Sequence, residues 1–249
     1  MVAVLLVTFA IGDAYMSKYT KLWRASHENY CKKHGYDFKI IDKFLDKQLD
    51  ARQHIDANNR LLVCSQEWSS AYDYIVYIDA DILININTPP IHTAYDYGDK
   101  IGIVDEFSQP QPEQRAERIN KRLGWEDSAK AYYKLADFDI ETDKLLNAGV
   151  MVFQPKKHKE FLEQMYWNYE PGYTTHRRGA HYQQAIIGYE LLTKDMCLVM
   201  SNKWNCVWHH YKVYYDGNKT LQEIFDQHYF IHFAGAVDHD KVENLNIYT

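Results

Sequence analysis

Tyr74-Ile75-Val76-Tyr77-Ile78-Asp79-Ala80-Asp81 is the stretch on which the reading of the whole chain turns. Five apolar or aromatic residues run without a break, and Tyr, Ile and Val favour a pleated, buried strand over a helix. The run then stops at two carboxylates separated by one small residue. If the backbone stays extended there, Asp79 and Asp81 point the same way, because strand side chains repeat at every second residue. Like charges at the mouth of a buried strand repel unless a cation neutralises them. Mg²⁺ and Mn²⁺ take oxygen ligands and are commonly shared between one or two carboxylates and a substrate's phosphates. The competing reading is a plain turn, since Asp is common where strands end.

Working outward, Val2 to Ile11 is apolar but too short to span a bilayer. It has no basic residues before it and no small-residue cleavage site, so it reads as a buried strand. A helical pattern runs from Ala14 to His34-Gly35, where glycine can take the left-handed cap. Tyr36–Ile41 is a second strand, and this strand–helix–strand order predicts a parallel pairing. Residues 42–55 read as loop and Asp56–Ala71 as a helix. Beyond the two aspartates, Asn85–Pro90 is a turn-rich exit, and Lys100–Val104 is a strand ending at Asp105-Glu106. Ser108–Ala136 is polar, with an exposed helix predicted over Glu113–Leu123. Asn147-Ala148-Gly149 reads as a loop feeding a buried strand that Pro155 stops. Helices follow at Lys159–Tyr169 and His181–Leu192, separated by a loop over Pro171–Gly179. A short strand covers Met196–Met200, and a last one Tyr229–Phe233. The predicted fold class is α/β, a single domain with a mostly parallel central sheet flanked by helices. His232, inside that last apolar run, is either a satisfied core residue or a ligand, and imidazole suits Mn²⁺ better than Mg²⁺.

At 249 residues and 46% hydrophobic content the chain can bury a full core. Its 21 tyrosines suit a cleft for flat, hydroxyl-rich ligands, although most such residues simply fill half-buried positions. The net charge is -6 with no basic stripe, which argues against a nucleic-acid partner. No polybasic amphipathic segment points to a membrane surface. The cysteines Cys31, Cys64, Cys197 and Cys206 lack metal-ligand spacing and are too few for a disulfide scaffold. The expectation is a soluble cytoplasmic protein with reduced thiols, from a virus or bacterium, or a domain excised from a longer chain. The Asn218-Lys219-Thr220 sequon matters only if the chain is secreted.

Tyr-Ile-Asp-Ala-Asp, Asn-Ala-Gly-Val-Met-Val-Phe, Tyr-Gln-Gln-Ala, Trp-Asn and Ile-His-Phe-Ala-Gly occur in that order across the chain. Together the series resembles the GT-A fold glycosyltransferases, especially the glycogenin-like retaining type. Lys32-Lys33-His34-Gly35-Tyr36-Asp37-Phe38 resembles the Golgi galactosyl-, mannosyl- and xylosyltransferases of that fold. The resemblance implies transfer of a hexosyl or pentosyl group from a UDP- or GDP-sugar to a hydroxyl of a carbohydrate acceptor. It implies Mn²⁺ (or Mg²⁺) held by Asp79, Asp81 and His232, with Asp81 also counted as catalytic. It places Thr8, Ala10 and Tyr15 at the nucleobase and ribose, and Ala80 and Gly235 at the donor. Asn147, Ala148 and Gly149 would touch the sugar, and Gln183 would face the reacting carbon. Arg60 is either a donor contact or an ordinary exposed Arg. The implied division is a nucleotide-sugar-binding half over 1–106 and an acceptor-binding and catalytic half over 137–249.

Two positions depart from the pattern. Tyr182 and Gln184 flank Gln183 where the resembled families usually place an acidic residue before that Gln. Asp238 stands where they place a diphosphate-binding Lys, which His239 or Lys241 would have to replace. Retention is expected by front-face attack; an inverting enzyme would need a base, for which Asp105, Glu106, Asp143 and His209 are candidates. A nucleotidyltransferase would want a Gly-rich basic loop after the first strand, and Phe9-Ala10-Ile11-Gly12-Asp13-Ala14-Tyr15 is not one. A catalytically weak carbohydrate-binding protein on the same fold stays open.

Overall fold

Alternation along two neighbouring strands sets up the two faces of the core. The computed structural model describes residues 2–46, 57–124, 126, 128–169, 176–177, 180–236 and 238–245. In β1 (Val4–Phe9) Leu5 and Val7 join one apolar cluster, while Val4 and Leu6 join the other. A third strand of the chain repeats the pattern. After β2 (Asp37–Ile41), β3 (Tyr74–Ile78) sends Ile75 and Tyr77 to the first cluster and Val76 and Ile78 to the second. Such period-two burial on both sides is what a sheet covered on both faces requires. Each fully buried Ile or Val contributes about 1.5–3 kcal/mol relative to exposure.

The remaining strands are β4 (Ile82–Ile84), β5 (Ile101–Asp105), β6 (Leu146–Phe153), β7 (His176–Arg177), β8 (Ala180–His181), β9 (Cys197–Met200), β10 (Cys206–Val207) and β11 (Phe230–His232). The main sheet has six strands in the order β2-β1-β3-β6-β5-β9. All its pairings are parallel except those of β6, which runs against both β3 and β5. A three-stranded sheet, β10-β11-β4, abuts it, and β7 and β8 form a short antiparallel pair. The expected α/β fold with a mostly parallel sheet is therefore present, with one reversed strand at its centre. Asn147-Ala148-Gly149 lies within that strand rather than in a loop before it.

The first helical pattern is two helices, α1 (Asp13–Leu22) and α2 (Arg24–His34), broken at buried Trp23. Gly35 caps α2 in the left-handed conformation at φ 68, as the sequence predicts. Instead of one α-helix, Ala57–Ser65 and Glu67–Ala71 are 3₁₀ helices; Asp56 and residues 47–55 lie outside the described residues. Of the loop expected over Pro171–Gly179 only 176–177 are described, and they form the strand β7 because they pair with β8. The polar insert is helical, with α3 (Pro112–Arg115), a π-helical turn (Ala116–Asn120) and α4 (Lys121–Leu123). It is not an exposed helix: Arg115, Ile119 and Asn120 are buried. α5 (Ala129–Leu135), α6 (Pro155–Asn168) and α7 (Tyr182–Thr193) cover one face of the sheet. α8 (Trp208–Tyr215) and α9 (Leu221–Gln227) complete the α-helices among the described residues, and 3₁₀ turns follow at Ala234–Ala236 and His239–Asn244. No described helix is long and apolar enough to cross a membrane.

Candidate active site

The site forms where β3 stops and the chain passes from one sheet to the other. Asp79 N–H donates to Gly149 O at 2.8 Å, the last rung toward β6. The backbone then turns, with Ile82 N–H reaching back to Asp79 O at 3.3 Å. The two aspartates therefore converge through a turn, not through an extended strand. β4 pairs with β11 so that Ile82 faces His232, and Phe233 N–H donates to Asp81 O at 2.9 Å. That register sets the imidazole beside both carboxylates. His232 Nε2 lies 3.6 Å from Asp79 Oδ2 and 3.4 Å from Asp81 Oδ1.

One ligand atom from each of Asp79, Asp81 and His232 falls within 4.8 Å of the others. An octahedral ion with ligands at about 2.1 Å needs adjacent donor atoms about 3 Å apart, so small side-chain shifts close the set. Two carboxylates and one imidazole are a donor set that suits a first-row divalent ion. In the metal-free protein burial works against the charge on Asp81, but His232 and His239 hold its carboxyl low. Burial likewise opposes a charged His232, but Asp81, Asp79 and Glu106 raise its pKa.

These groups open into a cavity of about 350 Å³. It is lined by Arg60, Asp79, Asp81, Asn147, Ala148, Gly149, Gln183, His232 and Gly235, all of which the sequence singled out. Arg60 is no ordinary surface residue. It is buried, donates through Nη1 to Ala148 O, pairs with Asp79 at 3.3 Å and stacks 4.7 Å over the Tyr77 ring. Tyr77 in turn donates its hydroxyl to Asp79 Oδ1. Gly149 leaves room for the imidazole: a Cβ there would sit 2.5 Å from His232 Cε1. Gly235 takes φ 73, a left-handed backbone that favours glycine.

Thr8, Ala10, Tyr15 and Ala80 do not line the cavity. Thr8 and Ala10 are buried at the end of β1, and the Thr8 hydroxyl has no hydrogen-bond partner among the described residues. Tyr15 is 39% exposed, and burial of its phenol end together with the charges of Asp81 and Asp79 raises its pKa. It therefore borders the two aspartates from outside.

Sequence reasoning missed His210 and Arg115. His210 lines the cavity beside Gln184 and the candidate bases Glu106 and His209, with Arg115 buried behind them. Glu106 Oε2 accepts from Asn147 and Gln184 at 2.9 Å each, and Oε1 lies 3.1 Å from His210 Nε2 and 3.7 Å from Arg115. Burial disfavours the Glu106 charge, but His210, Arg115 and Asn147 together hold the carboxyl well below its usual range. Burial and the Arg115 charge push His210 down to about 4. The neutral ring then donates Nε2–H to Glu106 and accepts from Arg115 Nη1 at 3.0 Å on Nδ1. Nothing in the sequence marks Arg115, because it lies in a charged run that reads as a solvated face.

Of the candidate bases, Glu106 and His209 reach the cavity; Asp105 and Asp143 do not. Asp105 Oδ1 is spent on the N–H groups of Phe107 at 2.9 Å and Leu145 at 3.0 Å. Asp143 pairs with Lys144 at the surface. Neither suggested substitute for a Lys is loose: His239 is buried with Nε2 on Phe233 O, and Lys241 pairs with Asp238 at 3.2 Å. Asp238 also takes Trp208 Nε1 at 2.9 Å and Lys212 Nζ at 3.0 Å, and although burial opposes its charge these partners bring its carboxyl to about 2.

Known proteins share this geometry's frame. Among solved structures, a glycosyltransferase involved in glycosylation of the major capsid of PBCV-1 is 15% identical, with a TM-score of 0.58 over 98% of this chain and all of that one. The galactosyltransferase LgtC, in complex with donor and acceptor sugar analogues, is 14% identical with a TM-score of 0.55 over 98% of this chain and 96% of its own. An active-site mutant of LgtC superimposes with a TM-score of 0.58 at 13% identity, over 96% of this chain and 94% of the mutant. At these identities the likeness establishes the GT-A fold. No curated protein sequence matches the chain. The model of glycosyl transferase family 8 matches residues 3–237. The chain belongs to glycosyl transferase family 8 and is a glycosyltransferase.

Proposed function

We propose that the chain transfers a sugar, with retention, from a UDP- or GDP-sugar to a hydroxyl of a carbohydrate acceptor, using a divalent ion, Mn²⁺ before Mg²⁺. The observation that carries this reading is the convergence of Asp79, Asp81 and His232 at the edge of a cavity of about 350 Å³. A bound ion would act as a Lewis acid on the leaving diphosphate. Asp79, Asp81 and His232 would hold that ion, and Arg60 would keep Asp79 oriented through its 3.3 Å contact. Gly235 would let backbone approach the phosphates, and Lys212 and Lys241 would exchange their pairing with Asp238 for the phosphates. Tyr15 would receive the nucleoside beyond the end of β1, where Thr8 and Ala10 are buried, so that residues 1–106 hold the donor and 137–249 the acceptor.

Asn147, Ala148 and Gln183 would face the sugar, with Gly149 leaving space for the His232 imidazole beside it. Positive charge develops at the anomeric carbon as the donor bond breaks, and an ionised Glu106 beside it would favour that state. Both Glu106 oxygens are already engaged by Asn147, Gln184 and His210, which supports stabilisation over covalent attack. Retention would then follow from front-face approach of the acceptor hydroxyl, its proton passing to a phosphate oxygen. Incubation with Mn²⁺ and a panel of UDP- and GDP-sugars, read by nucleoside diphosphate release and by NMR of the product anomer, tests this. Absence of turnover across the panel, or an inverted anomer, would overturn it.

A further inference from the structure

Behind His232 runs a chain of buried amides whose hydrogen-bond directions can be settled one by one. Asn147 Oδ1 accepts from Gly149 N–H at 2.9 Å, and a backbone N–H can only donate. Its Nδ2 therefore faces the other way, onto Glu106 Oε2 at 2.9 Å, where an ionised carboxylate can only accept. Two independent partners thus fix the same orientation. Asn205 meets Asn147 Oδ1 at 2.8 Å and must present its Nδ2 there. That leaves Asn205 Oδ1 against His232 Nδ1 at 3.0 Å, and the ring nitrogen must carry the proton. Asn205 has no room to swing away: it is fully buried, and its backbone is pinned because its main-chain carbonyl accepts from Gln109 Nε2 at 2.8 Å, while Gln109 Oε1 holds Val207 N–H at 2.9 Å.

We infer that Asn205, held by Asn147 and Glu106, is a positioning residue that locks His232 as the Nδ1–H tautomer and so presents the Nε2 lone pair to Asp79 and Asp81. A histidine ligand whose second nitrogen is fixed by a hydrogen bond needs no tautomer exchange on binding and offers a single ring orientation. The inference goes beyond the residues lining the cavity, though its consequence for metal binding rests on the proposed Asp79–Asp81–His232 site.

The test has two arms. The first uses metal-free protein labelled with ¹⁵N-histidine, at a pH where His232 is neutral, with the resonance assigned by its loss in His232→Gln. Long-range ¹H–¹⁵N correlation should show a protonated Nδ1 and a bare Nε2; an Nε2–H tautomer would overturn the inference. The second titrates Mn²⁺ alone into Asn205→Leu, checked for folding by circular dichroism. The dissociation constant should rise about 10–100-fold, as for other outer partners of metal-bound histidines. A folded Asn205→Leu with unchanged Mn²⁺ affinity would also overturn it. If that variant does not fold, the wild-type tautomer decides alone. Wild-type protein with the Nδ1–H form that binds no Mn²⁺ would instead remove the metal reading and leave the tautomer assignment in place.

Discussion

Gly149 shows how little slack the site has. An added Cβ would lie 2.6 Å from His232 Nδ1 and 2.9 Å from Asn147 Oδ1, and neither group can retreat from its buried partners. Gly149→Ala should therefore cost about 1–3 kcal/mol of stability, as overpacking does, and also displace the imidazole. Thermal unfolding and Mn²⁺ titration measured together check this; an unchanged metal affinity would mean the ring does not depend on that space. Asp81→Asn keeps the shape of the side chain but removes a charge 3.4 Å from His232 Nε2. Metal-dependent binding of UDP and GDP should fall below calorimetric detection while the melting temperature holds, and undiminished affinity would refute the assignment. Lys212→Ala with Lys241→Ala should weaken nucleotide binding and leave binding of Mn²⁺ alone intact. Equal loss of both would point to damage at Asp238 and not to missing phosphate contacts.

The polar insert is the element whose role was hardest to foresee. Arg115 sits at the end of α3, and its guanidinium donates to Glu106 O at 2.7 Å and Gln109 O at 3.0 Å. It thus ties the insert to the end of β5 and backs the Glu106 carboxylate. Arg115→Leu leaves that carboxylate buried with a partner gone, and should cost about 3–5 kcal/mol in urea unfolding. Adding Glu106→Gln should recover part of the loss in a double-mutant cycle, since the stranded charge is then removed. The run from Tyr74 to Asp81 was legible because continuous β-branched and aromatic residues have one good home, a strand covered on both faces. Arg115 and His210 were not, because a charged residue in a polar run carries no local mark of the distant pair it will meet. The direction of β6 was hidden for a similar reason. Strand–helix alternation favours parallel pairing, and the reversal is decided by the chain path through the insert. Over Ala57–Ala71 the apolar spacing fits a three-residue turn about as well as an α turn, so the helix was found but its type was not.

At the scale of the molecule, buried histidines set how stability answers acid. His27 and His210 are both pushed down to about 4, chiefly by burial, and burial also lowers His34, His92, His158, His209 and His228. Between about pH 4 and 6.5 the unfolded chain binds protons that the folded one refuses, so stability should rise with pH there. The fully buried His27 and His210 each contribute up to about 1.4 kcal/mol per pH unit, and the half-buried His34, His92 and His209 contribute less because solvent screens them. Asp105, raised by burial to about 6, works the other way below that value and offsets one histidine's share. His232, raised in the metal-free protein, stabilises at low pH and loses that contribution only above the window. Urea unfolding from pH 4.5 to 7 without metal should give a positive net slope; a flat profile would mean these rings are not buried neutral. The turn at Asp79–Asp81 has a mechanical consequence as well. Because Asp79 closes the six-stranded sheet while Asp81 adjoins, and His232 belongs to, the three-stranded one, an ion gripped by all three would act as a rivet across the seam. Deuterium uptake at 82–84 and 230–232 should slow when Mn²⁺ is added, while the outer strand at 37–41, remote from the fastening, keeps its pace.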